Sequence, residues 1–199
     1  MRNTFIILAI TLMCIGFSAC NTKRNQPVAT NDSIMKELND FAVFKLTTDI
    51  SKLSENEKKM IPLLIEAAKI MDDIFWIEAY GDKNTLLDSL NTDEEKKLAA
   101  INYGPWERLN DNKPFLPGFG PKPAGANFYP VDMTTEEFDS LADKDKAGLY
   151  SVIRRNDQGK IMVVPYHVAF ADQVTQASGL IGQAALLADD PGLEKYLTL

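Results

Sequence analysis

Beyond Cys20 the sequence contains no cysteine, and His167 is its single histidine. A disulfide framework is therefore excluded for the body of the chain, which must be held by an ordinary apolar core. One histidine without a thiol also cannot assemble a His- or Cys-rich zinc site. His167, beside the Pro165-Tyr166 turn, could contact a substrate, but a histidine so placed is more often a structural residue bonding local backbone. The acidic pairs Asp72-Asp73, Glu94-Glu95, Glu136-Glu137 and Asp189-Asp190 lie near helix starts or on exposed helix faces. The helix macrodipole and solvation explain them better than a carboxylate cage for a hard cation. Basic charge is in deficit: 21 Lys and Arg stand against 28 Asp and Glu, a net charge of −7. Such a chain has no electrostatic footprint for nucleic acid. There is no G-x-S-x-G elbow and no P-loop. "GFGPKPAG" looks like a phosphate loop, but Pro121 and Pro123 prevent the helix that must follow one.

What is present begins with a leader. Arg2 precedes an uncharged apolar run from Phe5 to Phe17, and "FSAC" follows. The run is short for a spanning helix, which needs roughly 20 apolar residues. The arrangement resembles a bacterial lipoprotein signal with its lipobox; the alternatives are a plain signal peptide or an uncleaved anchor. The resemblance implies cleavage before Cys20 and lipid modification of that residue. It also implies a place in the cell envelope, facing the periplasm or in the outer membrane. The expected organisation is a signal peptide over 1–19, a polar tether over 20–43, and one domain over 44–199.

The body reads as mainly helical. Ser54 with Glu57, Thr92 with Glu95, and Thr134 with Glu137 each match a capping box. The first opens an element that Pro62 should kink and Gly81 should end. Its apolar residues, among them Leu64, Ile65, Ala68, Met71 and Ile74, recur at helical spacing and make it largely buried. Shorter helices are predicted over 82–90 and 92–103. "GLYSVIRR" and "KIMVVPYHV" flank the polar turn "NDQG", which predicts a β-hairpin. Helical periodicity returns over 168–188, and Asp190-Pro191 opens a last helix whose stripe of Leu193, Tyr196 and Leu197 is expected to be only partly covered. The fold class expected is α+β: a helical lobe with one hairpin or small sheet and a long Pro/Gly/aromatic loop.

That loop, 102–130, holds six of the ten prolines and four of the eleven glycines, with six large aromatics among them. Proline and glycine at this density suit a linker; the aromatics argue for order. One reading is a cover draped over the helices. The other is a cleft wall in which Trp106, Asn127 and Tyr129 contact a peptide, because amide and phenol groups against aromatic walls suit that ligand.

Four consecutive stretches, "SENEKKMIPLLIEAAKIMDDIFWIEAYGDK", "INYGPWERLNDNKPF", "KPAGANFYPVDMTTEEF" and "LYSVIRRNDQGKIMVVPYH", resemble the amino-terminal part of bacterial proteins of the dipeptidyl peptidase III family. These are two-lobed zinc metallopeptidases that release dipeptides. The resemblance runs from about Phe44 to the last residue. It implies a lipid-anchored lobe that contributes to a peptide-binding cleft. The family's HExxGH motif does not occur; Val168 follows the sole histidine. No catalytic or metal residue carries over, zinc is expected only in a full-length member, and the chain is expected to be an inactive amino-terminal fragment. Expected partners are a peptide substrate or the missing carboxy-terminal lobe, and the membrane through the lipid. The alternative is a non-catalytic lipoprotein that binds peptides or a partner; a purely structural lipoprotein would have no cleft.

Overall fold

The structure, a computed structural model, describes residues 31–199. Eight helices and two two-stranded antiparallel sheets make up this part, an α+β lobe. Cys20 and the expected leader lie outside the described residues.

Helix α2 (Glu55–Ala79) is the spine. Its capping box is complete: Ser54 Oγ accepts from Glu57 N at 3.1 Å and Glu57 Oε2 accepts from Ser54 N at 2.8 Å. The helix runs unbroken through Pro62, where the sequence predicts a kink or turn. Pro62 is exposed, so water can serve the Lys58 carbonyl that loses its partner. Gly81, at φ +131, ends the helix and returns its N–H to the Trp76 carbonyl at 3.0 Å. Helix α7 (Ala171–Ala185) packs along α2, and buried Ala67, Ala177 and Ala184 supply small side chains on the two helices. Beyond α7, Asp189 accepts from Ser54 Oγ and from Asn56 Nδ2, which ties its turn to the start of α2.

Helices α3 (Lys83–Asp88) and α4 (Asp93–Asn102) follow α2, capped by Asp82 and Thr92. One core forms where Trp76, Leu86, Leu98, Ala99, Phe115 and Leu116 meet. Ile34, 1% exposed, belongs to the same core. It comes from α1 (Asn31–Asn39), a helix inside the segment expected to be tether. Ile34 and Leu38, four residues apart, give α1 one apolar edge that docks beside α4. The stretch 42–50 that follows has no regular structure, and Val43, Phe44 and Leu46 are exposed.

The sequence predicts one hairpin; the structure has two small sheets. Strands β1 (Trp106–Glu107) and β2 (Lys113–Pro114) pair inside the aromatic loop. Their turn depends on Asp111 and Asn112, both at positive φ, the conformation that Asn and Asp adopt more readily than other side chains. After α5 (Thr135–Ser140), which Thr134 and Glu137 box at its start, β3 (Ser151–Arg155) and β4 (Ile161–Pro165) form the predicted hairpin. A second core joins Val152 of β3, Ile74 of α2 and Phe170. Helix α6 (Tyr166–Ala169) links the hairpin to α7. It carries His167 on the exposed surface, with no hydrogen bond to neighbouring backbone, a departure from the predicted structural role. Helix α8 (Pro191–Thr198), capped by Asp190, lies on α7; Leu193 and Leu197 are half-buried and Tyr196 is exposed. No helix among the described residues is long and apolar enough to cross a membrane.

Candidate functional site

The aromatic loop is ordered by both cores. Phe115 and Leu116 enter the first, and Phe128 packs against the second. Between these anchors the chain encloses a cleft of about 380 Å³. Trp106, Asn127 and Tyr129, the three predicted contacts, all line it, together with Tyr80 and Arg154.

Each side chain is held from behind. Trp106 is buried, and its indole Nε1 donates to the Gly120 carbonyl at 2.9 Å. Gly104 precedes it at φ +147, and a Cβ there would sit 3.2 Å from the indole, so the ring fills the space a side chain would take. Tyr80 crosses Trp106 at 5.9 Å between ring centroids. Asn127 is a fastener as well as a wall. Its Nδ2 donates to the Ile77 carbonyl at 2.7 Å, and its backbone N–H to the Glu78 carbonyl at 2.8 Å. These two bonds serve carbonyls in the last turn of α2, which have no partner within the helix. Tyr129 meets Phe138 of α5 edge to face at 5.9 Å. A second concavity of about 420 Å³ shares Pro123, Tyr129, Pro130 and Val131 with the first, so the two form one groove along the loop.

The adjacent arginines of β3 border the cleft with different duties. Arg155 is a clamp: Nε donates to Asp132 at 3.0 Å, Nη1 and Nη2 donate to Glu137 at 3.0 Å each, and Nη1 also reaches the Gly159 carbonyl at 2.7 Å. Its bonds to Glu137, helped by the Thr134 cap, hold that carboxyl down at about 2. Arg154 donates through Nη1 to the carbonyls of Ile153, at 2.8 Å, and Phe128, at 3.2 Å. Burial pulls its pKa below the usual arginine value, against the pull of Glu78. Glu78 is 5% exposed and its Oε1 has no hydrogen-bond partner. Burial, and next the hydrogen bond to Glu78, push the Tyr166 phenol up.

Sequence reasoning did not single out Tyr80 or Arg154. Tyr80 reads as a helix end and Arg154 as an ordinary strand residue; only the closure of α2 against β3 brings them to the loop. Among the described residues no group of three or more His, Cys, Asp or Glu side chains could hold a metal ion.

No protein-family model matches the chain. Among curated proteins it is 28% identical to Nudix hydrolase 3 of Arabidopsis thaliana over 227 aligned positions, covering 83% of this chain and 29% of that protein. Two solved structures match in fold and in sequence. DPP III from Caldithrix abyssi aligns with a TM-score of 0.75 at 36% identity over 82% of this chain and 33% of its own. Dipeptidyl-peptidase III from Corallococcus sp. strain EGB aligns with a TM-score of 0.76 at 32% identity over 84% of this chain and 34% of its own. The chain spans about a third of the length of each. In fold and in sequence it is similar to that third of a bacterial dipeptidyl peptidase III.

Proposed function

We propose that this lobe forms one side of a peptide-binding cleft in a lipid-anchored, zinc-dependent dipeptidyl-peptidase-like protein. The observation that carries this reading is the match to two dipeptidyl peptidase III structures at 36% and 32% identity. The cleft supports it: Trp106, Tyr80 and Tyr129 offer flat apolar walls, and Asn127 fixes the wall to the helix behind it. A peptide laid along the groove would bury its side chains against these rings while its backbone polar groups stay near water. Among the described residues no group of His, Cys, Asp or Glu side chains could hold a zinc ion. The part read for these residues is to bind and orient the peptide, and no step of hydrolysis is assigned to them.

The test is direct binding. Titration of the detergent-solubilised full chain with tetra-alanine amide is expected to shift the Trp106 indole N–H resonance in a proton–nitrogen NMR spectrum. Tyr129→Ala should weaken binding about tenfold, the loss expected for one aromatic anchor. An unchanged Trp106 signal at millimolar peptide would sink the reading.

The lipid anchor rests on "FSAC" after the apolar run. Cys20→Ser is expected to abolish incorporation of labelled fatty acid and to release the protein from the membrane fraction. Equal labelling of the variant would place the lipid elsewhere or remove it from the account.

A further inference from the structure

Arg154 and Arg155 are neighbours on β3, yet only one is satisfied by carboxylates. Arg155 spends its whole guanidinium on Asp132, Glu137 and the Gly159 carbonyl. Arg154 uses only Nη1, and only on two backbone carbonyls. Among the described residues no carboxylate lies within ion-pair distance of it. Glu78 acts on it through space without reaching it. Nε and Nη2 are left without a protein acceptor.

The Arg154 guanidinium therefore has donors free for a ligand. It is half-buried and lines a cleft walled by Tyr80, Trp106, Tyr129 and Pro130. The free N–H groups of Arg154 stay open to the cleft, and the apolar rings beside them strengthen whatever charge reaches them. The planar fork of arginine matches a carboxylate, whose two oxygens can accept two parallel N–H bonds. A second cation stands nearby, in the neighbouring concavity: Lys122 Nζ lies 5.9 Å from the Trp106 ring centroid. The cleft, about 380 Å³, has room for one side chain rather than for a folded partner.

We infer that this cleft is a subsite for an acidic residue of a bound peptide, whose Asp or Glu carboxylate is gripped by the free donors of Arg154 while its methylenes lie against Trp106 and Tyr129. The inference rests on the peptide-binding reading given above and adds a preference to it. The ring walls would accept any apolar side chain; Arg154 selects among side chains of similar size by charge. Glu and Gln are the sharpest pair, since they differ by one atom and one charge. A hydrogen-bonded charge pair lost to a neutral one costs about tenfold to a hundredfold in affinity.

The experiment compares Ala-Ala-Glu-Ala amide with Ala-Ala-Gln-Ala amide on the full chain by isothermal titration calorimetry. The amides remove the terminal carboxylate as a competing anion. The Glu peptide is expected to bind at least about tenfold more tightly. Arg154→Met should bring the two affinities together, and Arg154→Lys should keep part of the preference, because it keeps the charge but loses the fork. The wild-type comparison needs no folded variant. Equal affinities in the wild type overturn the inference and leave the peptide-binding reading standing. So does a preference that survives in Arg154→Met. If neither peptide binds, both readings fall together.

Discussion

Trp76→Ala is expected to destabilise the protein by about 3–5 kcal/mol, a fall of roughly 10 °C or more in melting temperature. Trp76 sits on α2 at 2% exposure. Around it gather Ile34 of α1, Leu86 of α3, Leu98 and Ala99 of α4, and Phe115 and Leu116 of the aromatic loop. Tyr103 lies against its ring at 5.2 Å, and Lys83 Nζ stands 5.5 Å from its centroid. Five segments thus share one indole, and no single rotamer change among them can refill the space. Val131→Ala is the control: the side chain is 83% exposed, and the change should stay within about 0.5 kcal/mol. Urea unfolding followed by circular dichroism measures both. A loss below about 1 kcal/mol for Trp76→Ala would mean that the surrounding elements do not depend on that contact.

The second large effect is expected at a residue with no side chain. Gly125 adopts φ +76, where an alanine costs about 1–2 kcal/mol by itself. A Cβ there would also stand 2.9 Å from Cε2 of Tyr129 and closer still to Cδ2. The Tyr129 ring must move, which disturbs its edge contact with Phe138, worth about 0.5–1.5 kcal/mol. Gly125→Ala should therefore cost about 2 kcal/mol and displace one wall of the cleft. Its signature is the combination: a lowered melting temperature together with a weakened peptide response at Trp106, which lines the same cleft. Gly118→Ala separates the two contributions. It shares the positive φ, at +86, but nothing lies within 4 Å of the added Cβ. It should lose stability without loss of binding. Equal binding loss in both variants would show that the Tyr129 position is not what Gly125 protects.

Local chemistry was legible wherever a few consecutive residues decide the outcome. The caps at Ser54, Thr92 and Thr134 are complete boxes, because four residues contain both halves of the exchange. The 151–165 hairpin followed from two apolar runs and a polar turn. Helix α1 did not, since Ile34 and Leu38 stand among polar residues and α1 gains its worth only from a core built by residues 40 and more positions later. The β1–β2 pair is shorter still. One more ladder bond, from the Phe115 N–H to the Pro105 carbonyl at 3.0 Å, extends it, and burial of Phe115 in the first core holds it in place. The cleft divides in the same way. Trp106, Asn127 and Tyr129 were visible as an amide among aromatics in one loop, and the structure places them together. Arg154 and Tyr80 come from a strand and a helix end. Nothing in their own neighbourhoods marks them; topology alone delivers them to the loop.

The pairing of α2 with α7 has a consequence for chain entropy. The two helices are clasped at one end by Asp189 on Ser54 and Asn56, residues more than 130 positions apart. Everything between the helices, the cleft included, is in polymer terms one closed loop. The entropy of closing such a loop grows only with the logarithm of its length, so even a doubling adds only about 0.6 kcal/mol. Insertions on the groove rim, away from the two cores, therefore place almost no load on the clasp. The same long closure makes the contacts strongly non-local, and that slows folding. The groove rim is free to vary in length because the clasp lies at the other end of α2 from the residues that line the cleft, and folding rate is where that freedom is felt.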